Sequence, residues 1–136
     1  MDLDAARGFL RTSHRAVLVT CRADGGLQTS PVAAAVDDAG RVVVSTRADS
    51  AKARNLRRDP RAALCCVTDA WFGSWVQVEG TAEVIDGPAA LPLLEDYYRR
   101  VAGEHPDWED YRAAMVAEER VLLRITLERV AGVLAG

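Results

Sequence analysis

The sequence predicts a small, mainly β protein, a mostly antiparallel sheet closed as a barrel with helices inserted between strands. Three observations lead there. Short β-branched, apolar runs recur between turn signals from residue 16 to residue 134. Residues 73–85 (GSWVQVEGTAEVI) alternate almost strictly, with Trp75, Gln77 and Glu79 on one face and Val76 and Val78 on the other. The chain has 136 residues, the size of one domain, and seven short strands of this size close most easily as a barrel.

The elements follow in order. Leu3, Ala6, Phe9 and Leu10 fall at helical spacing, with Asp2 and Asp4 near the positive end of the dipole. Residues 16–21 (AVLVTC) read as a buried strand, and Asp24-Gly25-Gly26 as the hairpin after it. Residues 27–36 give a second strand. Pro31 lies inside it and lacks a ladder donor, which places it at an edge or a bulge. Residues 41–46 (RVVVST) form a third strand. Residues 50–59 form a helix capped by Ser50 and stopped by Pro60. Strands follow at 61–68 and 73–85, with a bulge or barrel corner at Gly80. Residues 88–102 form a helix with Pro88 in its first turn, a stripe of Leu91, Leu94, Tyr98 and Val101, and Gly103 at its end. A further helix runs from Pro106 to about Glu118, with Trp108, Tyr111 and Met115 inward. Two last strands are expected at 121–127 and 129–134.

Composition excludes several function classes. Hydrophobic residues at 49% and charged residues at 27% exclude a disordered chain. A chain of this length buries roughly 68% of its extended surface and needs no disulfide or metal to fold. The balance of 17 basic against 20 acidic residues argues against nucleic acid as a partner. No apolar run suffices for a membrane span, and the charged start MDLDAARGFLRTSHR has no apolar signal region, so a cytoplasmic protein is expected. Cys21, Cys65 and Cys66 form no C-x-x-C pair and read as reduced and structural. His14 and His105 have no ligand partners at metal-binding spacing, and no metal site is expected.

Two features carry chemistry. Lys52, Arg54, Arg57, Arg58 and Arg61 stand against one acid, Asp59. Lys52 follows the cap Ser50 in the first helical turn, where free N–H groups and the dipole favour an anion, above all a phosphate. A solvated basic face is the alternative, and composition does not choose between them. The second feature is Trp71-Phe72-Gly73-Ser74-Trp75, whose aromatics either plug a barrel end or cover a flat ligand. No general base or nucleophile lies nearby, so an enzyme here would rely on a bound cofactor.

Residues 51–61 (AKARNLRRDPR) closely resemble the K-x-R-N-L-x-x-D-P-R segment of the pyridoxamine 5′-phosphate oxidase-like superfamily of flavin and deazaflavin oxidoreductases. Ser30-Pro31-Val32, Ser45-Thr46 and Val78-Glu79-Gly80-Thr81-Ala82 match its strands in the same order. Tyr98-Arg99, residues 102–108 (AGEHPDW) and Tyr111-Arg112 are similar to the FDOR-B type branch that uses coenzyme F420. The resemblance implies a split β-barrel of the FMN-binding type, a homodimer, and cofactor sites at the subunit interface. Carried over by position, Lys52 with Asn55, Ser50 and Arg54 would hold the cofactor phosphate. Thr29, Ser30, Pro31, Val32, Ser45 and Thr46 would line the ring, and Trp75 and Gln77 would reach it from the partner subunit. No residue is expected to act as the catalyst, since the cofactor carries the hydride. Relatives often carry a basic residue where this chain has Ser50. The chain also lacks the long C-terminal segment with which pyridoxamine phosphate oxidases bind substrate, so vitamin B6 oxidation is not expected. The implied activity is hydride transfer between reduced F420 and an electron-poor small molecule. An FMN-dependent oxidoreductase of the same fold, or a non-catalytic flavin- or haem-binding carrier or sensor, are the alternatives.

Overall fold

The computed structural model describes residues 1–135. Helix α1 (Leu3–Thr12) leads into strands β1 (Arg15–Cys21), β2 (Leu27–Ala33), β3 (Ala35–Val36) and β4 (Val42–Arg47). Helix α2 (Ala51–Arg58) precedes β5 (Arg61–Val67) and β6 (Trp75–Ile85). A single 3-10 turn then leads into α3 (Ala90–Ala102) and α4 (Trp108–Ala117), and β7 (Arg120–Val133) ends the described chain.

The strands form one seven-stranded sheet in the order β2-β1-β5-β6-β7-β4-β3. Every neighbouring pair is antiparallel. The two edge strands, β2 and β3, are consecutive in sequence and joined only through Ala34. A flat sheet would separate its edges by about 29 Å, six strand spacings. One residue cannot span that, so the sheet curls until its edges meet. Ala34 is fully buried at the junction, and its N–H donates to His14 O at 2.8 Å. The expected strand 27–36 is thus broken in two, because the chain must pass there from one sheet edge to the other. Closure is incomplete: β2 comes up beside β4 without pairing with it, leaving a seam in the barrel.

The barrel interior is filled by alternate residues such as Leu18, Val44, Leu64, Val78, Leu123 and Ile125. Ala6 and Leu10 of α1 and Ala53 and Leu56 of α2 join this core. A second, smaller core lies outside the barrel, where Ala90 and Leu94 of α3 and Tyr111 of α4 cover Ala35, Val43 and Leu122. The caps are local: Asp2 accepts from Ala5 N at 2.8 Å and Asp107 from Asp110 N at 3.1 Å. Helix α4 therefore starts at Trp108, after its Asp107 cap, rather than at Pro106. Gly103 ends α3 at φ 84°.

The expected final two strands are one strand of 14 residues. Its partner β6 takes up the irregularity: Glu79 faces Arg129 and Gly80 faces Leu127, so Glu128 bulges out and pairing continues. Gly80 makes this possible, since a Cβ there would stand 1.9 Å from Thr126 O. That oxygen is backbone and cannot swing aside. Gly80→Ala should therefore cost about 1–3 kcal/mol or more, read from urea denaturation.

The buried Tyr111 hydroxyl donates to Leu94 O at 2.8 Å, and burial pushes its pKa up to about 12. The neutral phenol is favoured in the folded state. Its contribution is complete below the ordinary tyrosine value of roughly 10 and is lost as pH rises through about 12. Urea midpoints should fall across that alkaline window, and Tyr111→Phe should flatten the fall.

Candidate functional site

The hairpin joining β1 and β2 sets the orientation of the β2 edge. Arg22 N donates to Gly26 O at 2.8 Å, and Gly25 takes φ 87°. Counting on from this bonded pair, the antiparallel alternation makes Gln28, Ser30 and Val32 the residues that bond β1. The backbone groups of Thr29, Pro31 and Ala33 then point to the free edge. Pro31 pairs with Val17 at a non-bonded position and costs the ladder nothing. The expectation that it lies at an edge holds. The side chains of Thr29 and Pro31 lie on the outer face, whereas Val32 packs against the barrel core.

Across the seam stand the end of β4 and the start of α2. Thr46 is buried, and its hydroxyl donates to Ser50 Oγ at 3.0 Å. The same oxygen accepts from Ala53 N at 3.2 Å and caps the helix as expected. The next helical bond runs from Arg54 N to Ser50 O. The amides of Ala51 and Lys52 are left without acceptors among the described residues, which is how the first turn of a helix becomes an anion cradle. Strand β2 touches both β4 and α2 across this seam, so the strand carrying Thr29–Val32, the strand end Ser45–Thr46 and the helix that Ser50 caps are neighbours.

The basic residues of α2 and the start of β5 divide sharply. Arg57 donates to Ala48 O at 2.8 Å, and Arg58 to Cys21 O at 2.6 Å. Arg54 binds Asp49 O. Arg61 is paired with Asp59 at 2.7 Å, and that contact holds the Asp59 carboxyl at about 2. Lys52, half-buried, is the one cation of this segment with no hydrogen bond or ion pair among the described residues. Asn55 is buried: its Nδ2 donates to Thr20 Oγ1 at 3.1 Å and its Oδ1 accepts from Arg58 at 3.2 Å. Its amide therefore fastens α2 to β1.

Trp75 and Gln77 lie elsewhere, on the outer face of β6, about 14 Å from β2 across the sheet within one chain. That face is open and carries an apolar patch. One row across it reads Pro31, Val17, Cys65, Gln77, Ala131, and the next reads Arg15, Val67, Trp75, Val133. Val17, Trp75 and Val133 are 41%, 39% and 56% exposed. Trp71 and Phe72 stand out from the loop at its end. Cys65 lies on this face and Cys66 in the core, where burial raises its thiol to about 12.

Two parts of the region were not singled out from the sequence. One is Tyr97 of α3, whose hydroxyl donates to Ala33 O at 2.7 Å. The other is a cavity of about 490 Å³ beside the β4–α2 turn, lined by Ala48, Pro88, Leu91, Met115, Val116 and Val121 among others. Leu91 and Met115 were legible as apolar helix positions, but their meeting in a cavity was not.

Residues 3–134 match the family described as Pyridoxamine 5′-phosphate oxidase. A conserved hypothetical protein from Mycobacterium tuberculosis is 30% identical, covering 97% of this chain and 84% of that one, with a TM-score of 0.79. A structure described as an F420 reductase is 19% identical, covers 92% of this chain and 94% of that one, and has a TM-score of 0.71. A heme binding protein from Mycobacterium smegmatis is 20% identical, covers 98% of this chain and 54% of that one, and has a TM-score of 0.72. The last two likenesses show the fold.

Removing the Asn55 amide leaves the buried Thr20 hydroxyl without this partner. Asn55→Ala should therefore destabilise the protein by about 1–3 kcal/mol in urea denaturation. A neutral result would mean that the apolar face of α2 and the Arg57 and Arg58 contacts suffice without the Asn55–Thr20 bond.

Proposed function

Since the chain belongs to the pyridoxamine 5′-phosphate oxidase family, whose fold takes flavin-type cofactors, we propose that it is a cytoplasmic oxidoreductase that uses coenzyme F420. The substrate is an electron-poor organic small molecule. The single observation that carries the reading is Lys52: a lysine without a partner among the described residues, in a first helical turn with two acceptor-less amides, while its arginine neighbours are already engaged. This donor set fits a phosphate.

When bound, the cofactor supplies the hydride. The chain's own residues do the rest. Lys52 and the amides of Ala51 and Lys52 hold the phosphate, and the Ser50 hydroxyl, fixed by Thr46, keeps that turn in place. Asn55 serves the site by seating α2 on β1. The outward backbone groups of Thr29 and Pro31 offer hydrogen-bonding edges to a heterocycle, with Ser30, Val32 and Ser45 around them. The cavity beside Ala48 is the candidate substrate pocket; its walls are largely apolar, with Asp86, Glu119 and Arg120 also lining it.

The open sheet face supports a homodimer, in which Trp75 and Gln77 of each copy complete the site of the other. Light scattering at micromolar concentration should give twice the chain mass. A sharp monomer would overturn the shared site.

Titrating the protein with F420, FMN and haem, followed by absorbance, tests the cofactor assignment. F420 should bind most tightly. Tighter FMN binding at equal salt would make the protein an FMN enzyme, and haem binding alone would make it a haem protein.

A charge-assisted hydrogen bond is worth about 1.5–3 kcal/mol, so Lys52→Ala should weaken cofactor binding about 10- to 150-fold. Stability should change little, since alanine is a good helix former. Arg57→Ala and Arg58→Ala should have effects several times smaller that fade with added salt. Equal binding by wild type and Lys52→Ala would return α2 to a solvated basic surface.

A further inference from the structure

The seam between β2 and β4 has a closed end and an open end. At the closed end the sheet passes through Ala34, and α3 fastens both sides of that link. Tyr97 donates to Ala33 O at 2.7 Å, and Arg100, one turn on, donates to Val36 O at 2.9 Å. Ala33 is a free-edge residue of β2, so its carbonyl faces the seam. Strand β3 covers only Val42 and Val43 of β4, which leaves Ser45 on the uncovered stretch. Counting on from the Asp37 N–Arg41 O bond, Val43 and then Ser45 are the residues whose backbone points away from β7, so the Ser45 amide is turned into the seam on the side of Tyr97. The hydroxyl thus bonds one lip of the split, Ala33 O, with the outward amide of Ser45 on the other lip, where a continuous barrel would have a backbone rung.

We propose that Tyr97 is a positioning residue of the cofactor site, its hydroxyl replacing the missing rung between β2 and β4 and so fixing the width of the cleft in which a planar ring lies. This rests on the cofactor reading above. The residues on either side of the rung are those placed at the ring in that reading, Thr29 and Pro31 on one lip and Ser45 on the other. Tyr97 suits the task because its ring packs in the outer core with Leu94 and Tyr111, which holds the hydroxyl rigidly. Burial also raises its pKa, keeping it a neutral donor. Tyr97 acts on the ring through the cleft lips, whereas Lys52 acts on the phosphate. The two effects are therefore separable.

The test is Tyr97→Phe, which removes the hydroxyl and keeps the ring. Three readouts are taken on the full chain: the Ala33 carbonyl carbon resonance, affinity and absorption band position with F420 and FMN, and affinity for ribitol 5-phosphate, which carries the phosphate without a ring. The Ala33 resonance should move. Binding of whichever cofactor the wild type takes should weaken about 5- to 10-fold, for one lost hydrogen bond. Its band should shift toward the free cofactor's position. Ribitol phosphate affinity should stay within twofold, and the melting temperature within a few degrees. Unchanged cofactor affinity and band position would overturn the proposal. So would an equal loss for ribitol phosphate, or a variant that fails to fold, since either would make the hydroxyl a general structural pin. If the wild type binds neither cofactor, the cofactor reading itself falls and takes this proposal with it.

Discussion

Ala34 is all the chain that separates the two edge strands of a seven-stranded sheet. A covalent link of that length between edges about 29 Å apart in a flat sheet leaves curling as the only solution. Curling encloses the apolar faces of β1, β4, β5, β6 and β7 around one core, which α1 and α2 help to cover. It also leaves a defect. The junction uses up the edge of β3 on β4 but cannot pair β2 with anything except β1. The unpaired backbone of β2 lies inside the seam instead of along an exposed flank. An edge that would otherwise invite aggregation becomes a row of hydrogen-bonding groups aimed into a cleft.

The start of α2 meets that cleft because the crossover from β4 to β5 has to pass over it. The helix is pinned there from several sides. Asn55 holds it to Thr20, Arg58 to the Cys21 carbonyl, and Arg57 to the Ala48 carbonyl. Three charged or polar side chains that look like ligand-binding groups in the sequence thus act as clamps on the backbone. Their engagement isolates Lys52. A guanidinium already donating to a carbonyl meets a ligand with fewer free N–H groups, whereas an unpaired ammonium meets one with all of its donors.

The outer face of the sheet has no comparable internal use. Its alternation is as regular as that of the inner face, yet it carries Val17, Cys65, Trp75 and Val133 where a solvated face would carry polar residues. In the proposed homodimer a second copy of the chain covers that face. The second core, built by α3 and α4 outside the barrel, performs the complementary task within one chain. It covers β3 and β4 and carries Tyr97 to the seam.

The sequence by itself determined what depends on neighbours along the chain. Apolar periodicity placed nearly every strand and helix, because side-chain direction repeats with a fixed period. Ser50 as a cap, Gly103 as a stop, Pro31 at an edge and the bulge at Gly80 were legible because each is a local backbone requirement. So were the opposite faces of Cys65 and Cys66, and the resemblance over residues 51–61 pointed to the family that the match over 3–134 shows. Tertiary structure decided the rest. The break at Ala34 and the continuity of β7 through Glu128 depend on which strands become neighbours, and no local pattern encodes that. Asn55 meets Thr20 across 35 positions and Tyr97 meets Ala33 across 64. The first-turn position singled out Lys52 in the sequence, but the clamping of Arg57 and Arg58 on the Ala48 and Cys21 carbonyls was hidden, since those partners lie outside the helix. Contacts of that span exist only once the sheet has curled, because the curl brings the two lips of the seam and α3 within hydrogen-bond distance.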